Sequence, residues 1–154
     1  MYLRNNIMAS GYAVETDPKT TSRVLGRNLS ISKKYSVEVG RTIKGMKLKD
    51  ARKKMQNAIE LKEPIHFVKY NRSTGHRKGG VIGKYPKNVC LAVDNLLDTL
   101  EKNAIDKGLD DKKLYIKYVF VSKAFRFPRR RKVNLRGQRR KNTNVGIVCE
   151  EVYQ

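Results

Sequence analysis

Apolar residues recur at every third or fourth position in three segments of this chain, a spacing that predicts three amphipathic helices. The first helix is expected at about residues 33–44, because Ser32 is a suitable N-cap and Gly45 a suitable stop. The second follows Met46 and cannot continue past Pro64, whose ring and missing N–H disrupt a helix. The residues expected on its apolar face are Leu48, Ala51, Met55, Ala58 and Ile59.

The third helix has the clearest pattern and is predicted to form the centre of the core. Pro86 suits its first turn, where a missing N–H costs no hydrogen bond, and Gly108 follows its last apolar residue. The apolar positions that keep the helical period are Val89, Val93, Leu96, Leu97, Leu100 and Ala104.

Beyond Asp111 the apolar positions alternate instead, which predicts two strands. Paired with each other, they would form a hairpin at about residues 115–152, whose arm extends by about 3.3 Å per residue and protrudes from the domain. The predicted fold class is α+β: a small antiparallel sheet packed with three helices, plus a long protruding β-hairpin. One face of each strand is expected to be buried; Leu114, Ile116, Tyr118 and Phe120 share one parity in the first strand, and Val145, Ile147 and Cys149 repeat the pattern in the second.

The net charge adds a constraint on function. The 154 residues include 35 Lys and Arg against 14 Asp and Glu, which gives a formal net charge of +21. The net charge of a small domain is usually roughly 2 to 8 in magnitude. A polyanionic partner is therefore expected.

The length suits one domain. No apolar run approaches the ~20 residues of a membrane span, and residues 1–11 lack the apolar block of a secretory signal, so we expect an intracellular protein.

The densest positive charge lies between the two predicted strands. Residues 126–141 number 16 and contain nine basic side chains and no acid, so this segment cannot collapse on itself and is expected to project. A second concentration, at residues 69–84, combines cations with glycines, which let a backbone approach phosphate closely. A third, thinner set comprises Lys19, Arg23, Arg27, Lys33 and Lys34.

No catalytic or metal-binding constellation accompanies this charge. Asp94 and Asp98 share a helical face without a third ligand at a suitable spacing, and we expect them to be solvated acids. His66 and His76 have no Cys or Glu at metal spacing, and the glycines near Lys78 do not follow the order of a P-loop. We therefore predict a protein that is not an enzyme and has no cofactor or metal.

The two cysteines fit the same prediction. Cys90 and Cys149 are far apart in the chain and have no partners at metal spacing. In a reducing compartment such thiols are usually small buried apolar groups. We expect both to be free and buried.

The arrangement of the cations favours structured RNA as the polyanion. A basic region that reads DNA usually lies on a helix, whereas here the densest cations lie between strands and are mostly arginine, which forks to phosphates and stacks on bases. A membrane-surface role would need apolar anchors, which are sparse. Three alternatives stay open: a nuclear import signal at residues 129–132, a free nucleic-acid chaperone or DNA-compacting protein, and a nuclease or RNA-modifying enzyme.

Several ordered segments, covering nearly the whole chain, carry a resemblance to a known family. They are Lys44-Gly45-Met46, Pro64-Ile65-His66-Phe67 followed by Tyr70-Asn71, Gly75-His76-Arg77-Lys78-Gly79, Gly83-Lys84-Tyr85-Pro86, Asn103-Ala104 with Lys107-Gly108-Leu109, and Val148-Cys149-Glu150-Glu151. In their order and spacing they resemble the large-subunit ribosomal protein family called L twenty-two, known as L seventeen in eukaryotic numbering, in its archaeal and eukaryotic branch.

The resemblance implies a small α+β domain on the outer surface of the large ribosomal subunit that binds ribosomal RNA and supports subunit assembly. It also implies that the hairpin penetrates the subunit and lines the nascent-peptide exit tunnel. The implied partners are large-subunit ribosomal RNA, neighbouring ribosomal proteins and the nascent polypeptide. The implied location is the cytoplasmic ribosome, with transient nuclear and nucleolar passage if the organism is eukaryotic. Residues 12–154 would form a single RNA-binding domain after an N-terminal extension at 1–11.

Carried onto this chain, the resemblance assigns RNA contacts to Arg23, Gly26, Arg27 and residues 75–78 and 83–85. The tip departs from the family's usual Arg-Ala-x-Gly-Arg, of which only the glycine aligns. The tip residues expected to line the tunnel are Val133, Asn134, Leu135, Arg136, Gly137 and Gln138. Charge and resemblance together predict RNA binding by Arg23, Arg27, Lys33, Lys34, Arg72, His76, Arg77, Lys78, Lys84, Arg126, Arg129, Arg130, Arg131, Lys132, Arg136, Arg139, Arg140 and Lys141.

Overall fold

The computed structural model describes residues 14, 16–17, 19–77, 82–128 and 138–151. Within them, the fold is the α+β class that the sequence predicts, with the three predicted helices confirmed. No helix in these ranges is long and apolar enough to cross a membrane. The elements in chain order are β1 (Thr21–Leu29), α1 (Lys33–Ile43), α2 (Leu48–Ile59), β2 (Ile65–His66), β3 (Gly83–Lys84), α3 (Lys87–Asp106), a 3₁₀ turn (Asp111–Lys113), β4 (Leu114–Lys123) and β5 (Thr143–Glu151).

A three-stranded antiparallel sheet supports the domain, with β5 between β1 and β4. The predicted pairing of β4 with β5 is confirmed. β1 was not predicted as a strand, although it pairs with β5 from Thr21 onward and places Val24 opposite Ile147. β2 and β3 form a separate two-stranded sheet. The central position of β5 explains its nearly continuous burial, since both of its edges and its core face are covered.

A β-bulge at Lys117 corrects the predicted face of β4. Ile116 and Tyr118 pair with consecutive residues of β5, so Lys117 is the extra residue on its strand. Such a bulge shifts the alternation by one residue and increases the local twist. Up to Ile116 the predicted alternation holds, with Leu114 and Ile116 buried. Beyond it, Val119 takes the inward position against the core, and Tyr118 and Phe120 lie on the opposite face, so the four residues do not share one face as the alternation predicts.

The core lies between the sheet and the helices, with α3 at its centre as predicted. Val89, Val93, Leu97, Leu100 and Ala104 are all buried along one face of that helix. Helix α1 closes the other end of the core by a close approach to β4. At Gly40 an added Cβ would lie 2.8 Å from Cγ1 of Val119, a distance at which the helix or the strand would have to move.

Two of the predicted helix ends need a different physical account. Ser32 occupies the N-cap of α1, but its hydroxyl makes no capping bond; instead, its carbonyl accepts hydrogen bonds from the backbone N–H and the hydroxyl of Ser36, both at 2.9 Å. Gly45 ends the same helix region with φ +83, as expected for a left-handed stop. Helix α2 ends at Ile59, before Pro64 can act, because Leu61 turns the chain with φ +66.

Candidate nucleic-acid interface

Acidic side chains of the helical layer are already paired within the protein. Arg52 on α2 faces three carboxylates of α3: its Nη2 lies 3.3 Å from Oδ1 of Asp98, its Nε lies 3.8 Å from Oδ1 of Asp94, and its Nη1 contacts Glu101. Asp94 and Asp98, expected as solvated acids, are therefore partly exposed members of an ion-pair cluster. These acids are therefore neutralised within the protein.

The described residues offer no enzyme-like chemistry. No group of three or more His, Cys, Asp or Glu among them could hold a metal ion. Cys90 and Cys149 are free and buried, as predicted. Burial raises the pKa of the Cys90 thiol to about 11, with the nearby Asp94 charge adding to it, and raises that of Cys149 to about 12. Thiols with such pKa values are protonated at neutral pH and make poor nucleophiles.

A basic cleft of about 480 Å³ lies where the start of α1 meets the segment after β2 and the strand β3. No carboxylate lines it among the residues that the structure describes. We call it the tyrosine cleft, and its lining residues are Lys34, Tyr35, Lys69, Tyr70, Arg72 and Lys84.

The two tyrosine rings of the cleft each lie close to ammonium groups. The Nζ atoms of Lys34 and Lys69 lie 5.7 Å and 6.0 Å from the ring centroid of Tyr70, and Nζ of Lys84 lies 5.7 Å from that of Tyr35. These distances are within the range of cation–π attraction. Tyr35 also packs edge-on against a buried Phe67 at 5.3 Å between centroids, and both tyrosines pack against the core, so the rings are fixed in place.

The wall of the cleft is held by a buried carboxylate. Glu38 of α1 is fully buried and accepts backbone N–H bonds from Val68 at 3.1 Å, Lys69 at 2.9 Å and Tyr70 at 2.9 Å. Hydrogen bonds to a charged acceptor are stronger than neutral ones, and three successive donors fix the backbone of this segment. Glu38 therefore sets the position of the Lys69 and Tyr70 side chains.

Sequence reasoning missed Glu38 and did not single out Lys69, Tyr35 and Tyr70 as site residues. One signal was present: the pair Lys-Tyr occurs at residues 34–35, 69–70, 84–85 and 117–118, and each of the first three pairs contributes at least one residue to the cleft. A second signal was an acid three positions after Tyr35, on the apolar face of a helix. An acid at such a position is expected to have buried donors nearby.

The predicted site residues of the glycine-rich segment lie beside the cleft. Arg77 is exposed; its Nε donates to the carbonyl of Gly83 at 3.2 Å, and its guanidinium lies 5.4 Å from the ring centroid of Tyr85. His76 is also exposed and forms a β-bridge with Ile82. Gly83 itself is buried, and an added Cβ would lie 2.8 Å from the backbone oxygen of residue 65. The absence of a side chain at this position allows the close pairing of β3 with β2, and the RNA contact assigned to it stays a prediction.

Strand β1 carries two more of the predicted cations. Arg23 and Arg27 are exposed, on the outer side of the sheet and near its end. Gly26 between them is buried, and an added Cβ would lie 2.9 Å from Leu29 and 3.0 Å from Leu96. This residue packs against α3, and the RNA contact that the resemblance assigns to it stays a prediction.

The hairpin continues beyond the regular strands. The backbone N–H of Ala124 donates to Asn142 at 3.2 Å, and that of Arg140 donates to Phe127 at 2.9 Å. A bridge pairs Pro128 with Arg139. The predicted extension of the hairpin is thus confirmed as far as these residues. Beyond the regular strands, its exposed cations in the described ranges are Arg126, Arg139, Arg140 and Lys141.

The rest of the predicted arm lies outside the described residues. This applies to the cations Lys78, Arg129, Arg130, Arg131, Lys132 and Arg136 and to the tip residues Val133, Asn134, Leu135 and Gly137. Gln138, the last tip residue, is described and exposed. Of the other predicted cations, Lys34 and Arg72 are exposed, whereas Lys33 and Lys84 are half-buried.

Comparison with known proteins gives one family. The sequence model described as Ribosomal protein L22p/L17e matches residues 24–144. The large ribosomal subunit protein uL22 of Methanococcus maripaludis is 35% identical over 148 residues, which cover 92% of this chain and 97% of the relative. The protein of the same name from Methanococcus vannielii is 35% identical over 149 residues, covering 93% and 97%. That of Methanocaldococcus jannaschii is 35% identical over 121 residues, covering 77% and 78%.

These relatives are archaeal, which fits the branch that the sequence predicts, and they are ribosomal proteins rather than enzymes, as expected. The family match extends from β1 into β5 and so includes the whole helical layer. Both the family match and the identity over most of the chain agree with the sequence-based assignment: the chain belongs to the Ribosomal protein L22p/L17e family.

Proposed function

We propose that this chain is a constituent of the large ribosomal subunit that binds ribosomal RNA, supports subunit assembly and lines the nascent-peptide exit tunnel with its hairpin. Its partners are then large-subunit ribosomal RNA, neighbouring ribosomal proteins and the nascent polypeptide, and its location is the cytoplasmic ribosome. Its relatives carry the name of large ribosomal subunit proteins.

The observation that carries the proposal is the separation of charge over the surface. Three acids of α3 pair with Arg52, and Asp98 pairs with Lys102 as well, whereas the described lining of the tyrosine cleft consists of cations and aromatic rings. Each phosphate that a cation neutralises releases condensed counterions and so adds affinity at moderate salt. A surface of this kind favours a polyanion with accessible bases, which is a property of folded RNA.

The hairpin supports the second part of the proposal. Its strands leave the sheet as a pair that stays hydrogen-bonded to Pro128 and Arg139, and its exposed side includes an edge-on pair of Phe125 and Phe127 with centroids 4.9 Å apart. These rings are 69% and 55% exposed. Apolar side chains so exposed on a cationic arm indicate that the arm functions inside a larger assembly.

Sedimentation tests the large-subunit assignment. The tagged full chain, expressed in a cell with active ribosomes, is expected in the large-subunit and assembled-ribosome fractions of a density gradient, and to leave them at high salt. Sedimentation with the small subunit alone, or at the top of the gradient, contradicts the proposal.

Competition tests it against a free nucleic-acid chaperone or DNA-compacting protein. The purified chain is expected to bind large-subunit ribosomal RNA more tightly than duplex DNA of equal length at the same salt concentration. Equal affinities for the two would instead favour the DNA-compacting alternative.

Crosslinking tests the tunnel assignment. Asn134→Cys places a reactive thiol at the expected tip, and the two native thiols give little background because they are buried. Ribosomes stalled on a labelled nascent chain are expected to crosslink to this variant and not to a variant with the thiol at Lys62, on the helical layer. Crosslinks that are absent at both positions contradict the tunnel role while leaving RNA binding intact.

A further inference from the structure

The tyrosine cleft combines two recognition chemistries in one concave site. Its ammonium and guanidinium groups suit phosphate, and its two rings, fixed against the core, offer flat faces. Its volume of about 480 Å³ lies within the range of roughly 300 to 1,000 Å³ typical of small-ligand sites. The ligand that uses both chemistries must carry negative charge and a planar group close together.

Two polyanionic ligands fit only half of this description. Inorganic phosphate would use the cations and leave the rings without a partner. An A-form duplex keeps its bases stacked, and its deep groove does not admit side chains, so it too would present phosphate alone. A nucleotide whose base has left the stack presents both groups at once, because every base has a π-face that stacks on an aromatic side chain.

The site is also fixed in place before any ligand binds. The bonds from Val68, Lys69 and Tyr70 to the Glu38 carboxylate hold the loop that carries the ring and the cation. Rigid groups lose little conformational entropy on binding, so the interaction free energy is retained as affinity. This arrangement is characteristic of a specific site and not of a diffuse basic surface.

We propose that the tyrosine cleft holds one unstacked nucleotide from a single-stranded segment of RNA, with its base against Tyr70 and its flanking phosphates at Lys34, Lys69 and Lys84. The proposal rests on the RNA-binding function given above and specifies it: it names the form of RNA and the place on the protein where a base, and not only the backbone, is bound.

The first experiment uses the full chain and a short single-stranded RNA that contains one fluorescent purine analogue. Stacking on a tyrosine is expected to change its emission on binding. Tyr70→Ala should weaken binding by about 5- to 150-fold, the range expected for loss of one stacked base, whereas Tyr70→Phe retains the ring and should bind like the unchanged chain. Replacing the analogue by an abasic site should weaken binding to the unchanged chain but not to Tyr70→Ala.

A matched set of charge variants separates the cleft from the net charge. The triple variant Lys34→Ala, Lys69→Ala, Lys84→Ala is expected to lower the slope of log affinity against log salt by about 2 for a single strand. The control removes three lysines whose ammonium groups pair with Asp111, Glu60 and Asp98 and should change the slope much less. The control variant is Lys49→Ala, Lys62→Ala, Lys102→Ala.

The outcomes distinguish this inference from the proposed function. If Tyr70→Ala and the abasic RNA have no effect while ribosomal RNA still binds with a steep salt dependence, the nucleotide site is refuted and RNA binding stands. An effect of the lysines without an effect of the ring refutes it as well, since the cleft would then bind phosphate only. Adenosine monophosphate binding as tightly as the oligonucleotide would assign the cleft to free nucleotides and refute it. Failure of ribosomal RNA itself to bind refutes the proposed function.

Discussion

Glu38 is the residue on which the geometry of the tyrosine cleft depends most directly. Its carboxylate is fully buried and has three backbone donors. Glu38→Gln keeps one carbonyl acceptor but places an amide among N–H groups, so at least one donor loses its partner. Leaving a buried polar group unpaired costs about 1 to 3 kcal/mol.

We expect Glu38→Gln to lower the free energy of unfolding by that amount in urea titrations, and to accelerate hydrogen exchange at the amides of Val68, Lys69 and Tyr70. The control is Glu60→Gln, an exposed acid, which should change stability by less than about 0.5 kcal/mol. Unchanged exchange at the three amides would show that Glu38 does not hold this loop.

Leu97 provides the corresponding prediction for the apolar core. It is fully buried at the centre of α3, so Leu97→Ala should lower the free energy of unfolding by about 2 to 5 kcal/mol. Leu91→Ala on the same helix is the control, because that side chain is 48% exposed and its truncation should cost much less. Chemical denaturation of the two variants measures the difference, and equal losses would mean that the assigned helix face is wrong.

These two residues also show what the sequence can predict at this scale. The burial of Leu97 follows from periodicity, since each neighbour on its face is apolar. The partners of Glu38 do not follow from it, because an acid on the apolar face of a helix signals burial but not which donors it meets. Its donors belong to Val68 and the two residues after it, and only the folded chain brings them to α1.

At the scale of elements, the stability of α3 and of its contact with α2 depends on pH through Asp98, whose strongest partner, Lys102, lies one turn further along the same helix. The hydrogen bond from Lys102, helped by the charges of Lys102 and Arg52 and opposed by partial desolvation, lowers the pKa of Asp98 in the folded protein. A carboxyl whose pKa is lower in the folded state stabilises that state above its unfolded pKa of about 3.9. The stabilisation is lost as the pH falls through the lower, folded value.

We therefore expect Asp98→Asn to reduce the difference between the melting temperature at pH 6 and that at about pH 3, relative to the unchanged chain. The effect should be small, since Asp98 is largely solvated, and it should diminish in high salt. Asp106→Asn, an exposed acid near the end of the same helix, is the control. An acid limb unaltered by Asp98→Asn would contradict a stabilising role for the ion pairs of Asp98 with Lys102 and Arg52.

The elements were predictable to the extent that their patterns were regular. The helices and the β4–β5 pair follow from period and alternation. β1 was missed because a sequence with Ser22, Arg23, Gly26, Arg27 and Asn28 shows little alternation and contains poor strand formers; its place at the edge of β5 stabilises it instead. The predicted alternation of β4 fails beyond Ile116, because no residue type marks Lys117 as the extra residue of a bulge.

At the scale of the whole molecule, the distribution of cations decides how binding depends on salt. Replacing Arg129, Arg130 and Arg131 together by glutamine is expected to weaken ribosomal RNA binding and to reduce the slope of log affinity against log salt by up to about 3. The same protein with Lys49, Lys62 and Lys102 replaced is the control for net charge. An unchanged slope in the arginine variant would mean that these three side chains do not meet phosphate.

The fold class, the hairpin and the family were accessible from sequence because each depends on a contiguous pattern: periodicity, a run of arginines, or motifs in a fixed order. The tyrosine cleft could not be predicted from the sequence. Its lining comes from the start of α1, the segment after β2 and β3, three stretches that are distant in the chain. Only the folded arrangement shows that Tyr35, Tyr70 and Lys84 share one concavity.

The bulge at Lys117 gives the strand a spare residue. Deleting Lys117 would leave Ile116 and Tyr118 opposite the same two consecutive partners, so the ladder would close without turning any side chain over, and the domain should still fold. The extra local twist would disappear, however. A small change in the angle at which the hairpin leaves the sheet becomes a large displacement at its tip, because the displacement grows with the length of the arm. Such a deletion mutant would separate the stability of the domain from the orientation of the hairpin, because the domain would fold while the arm pointed in a different direction.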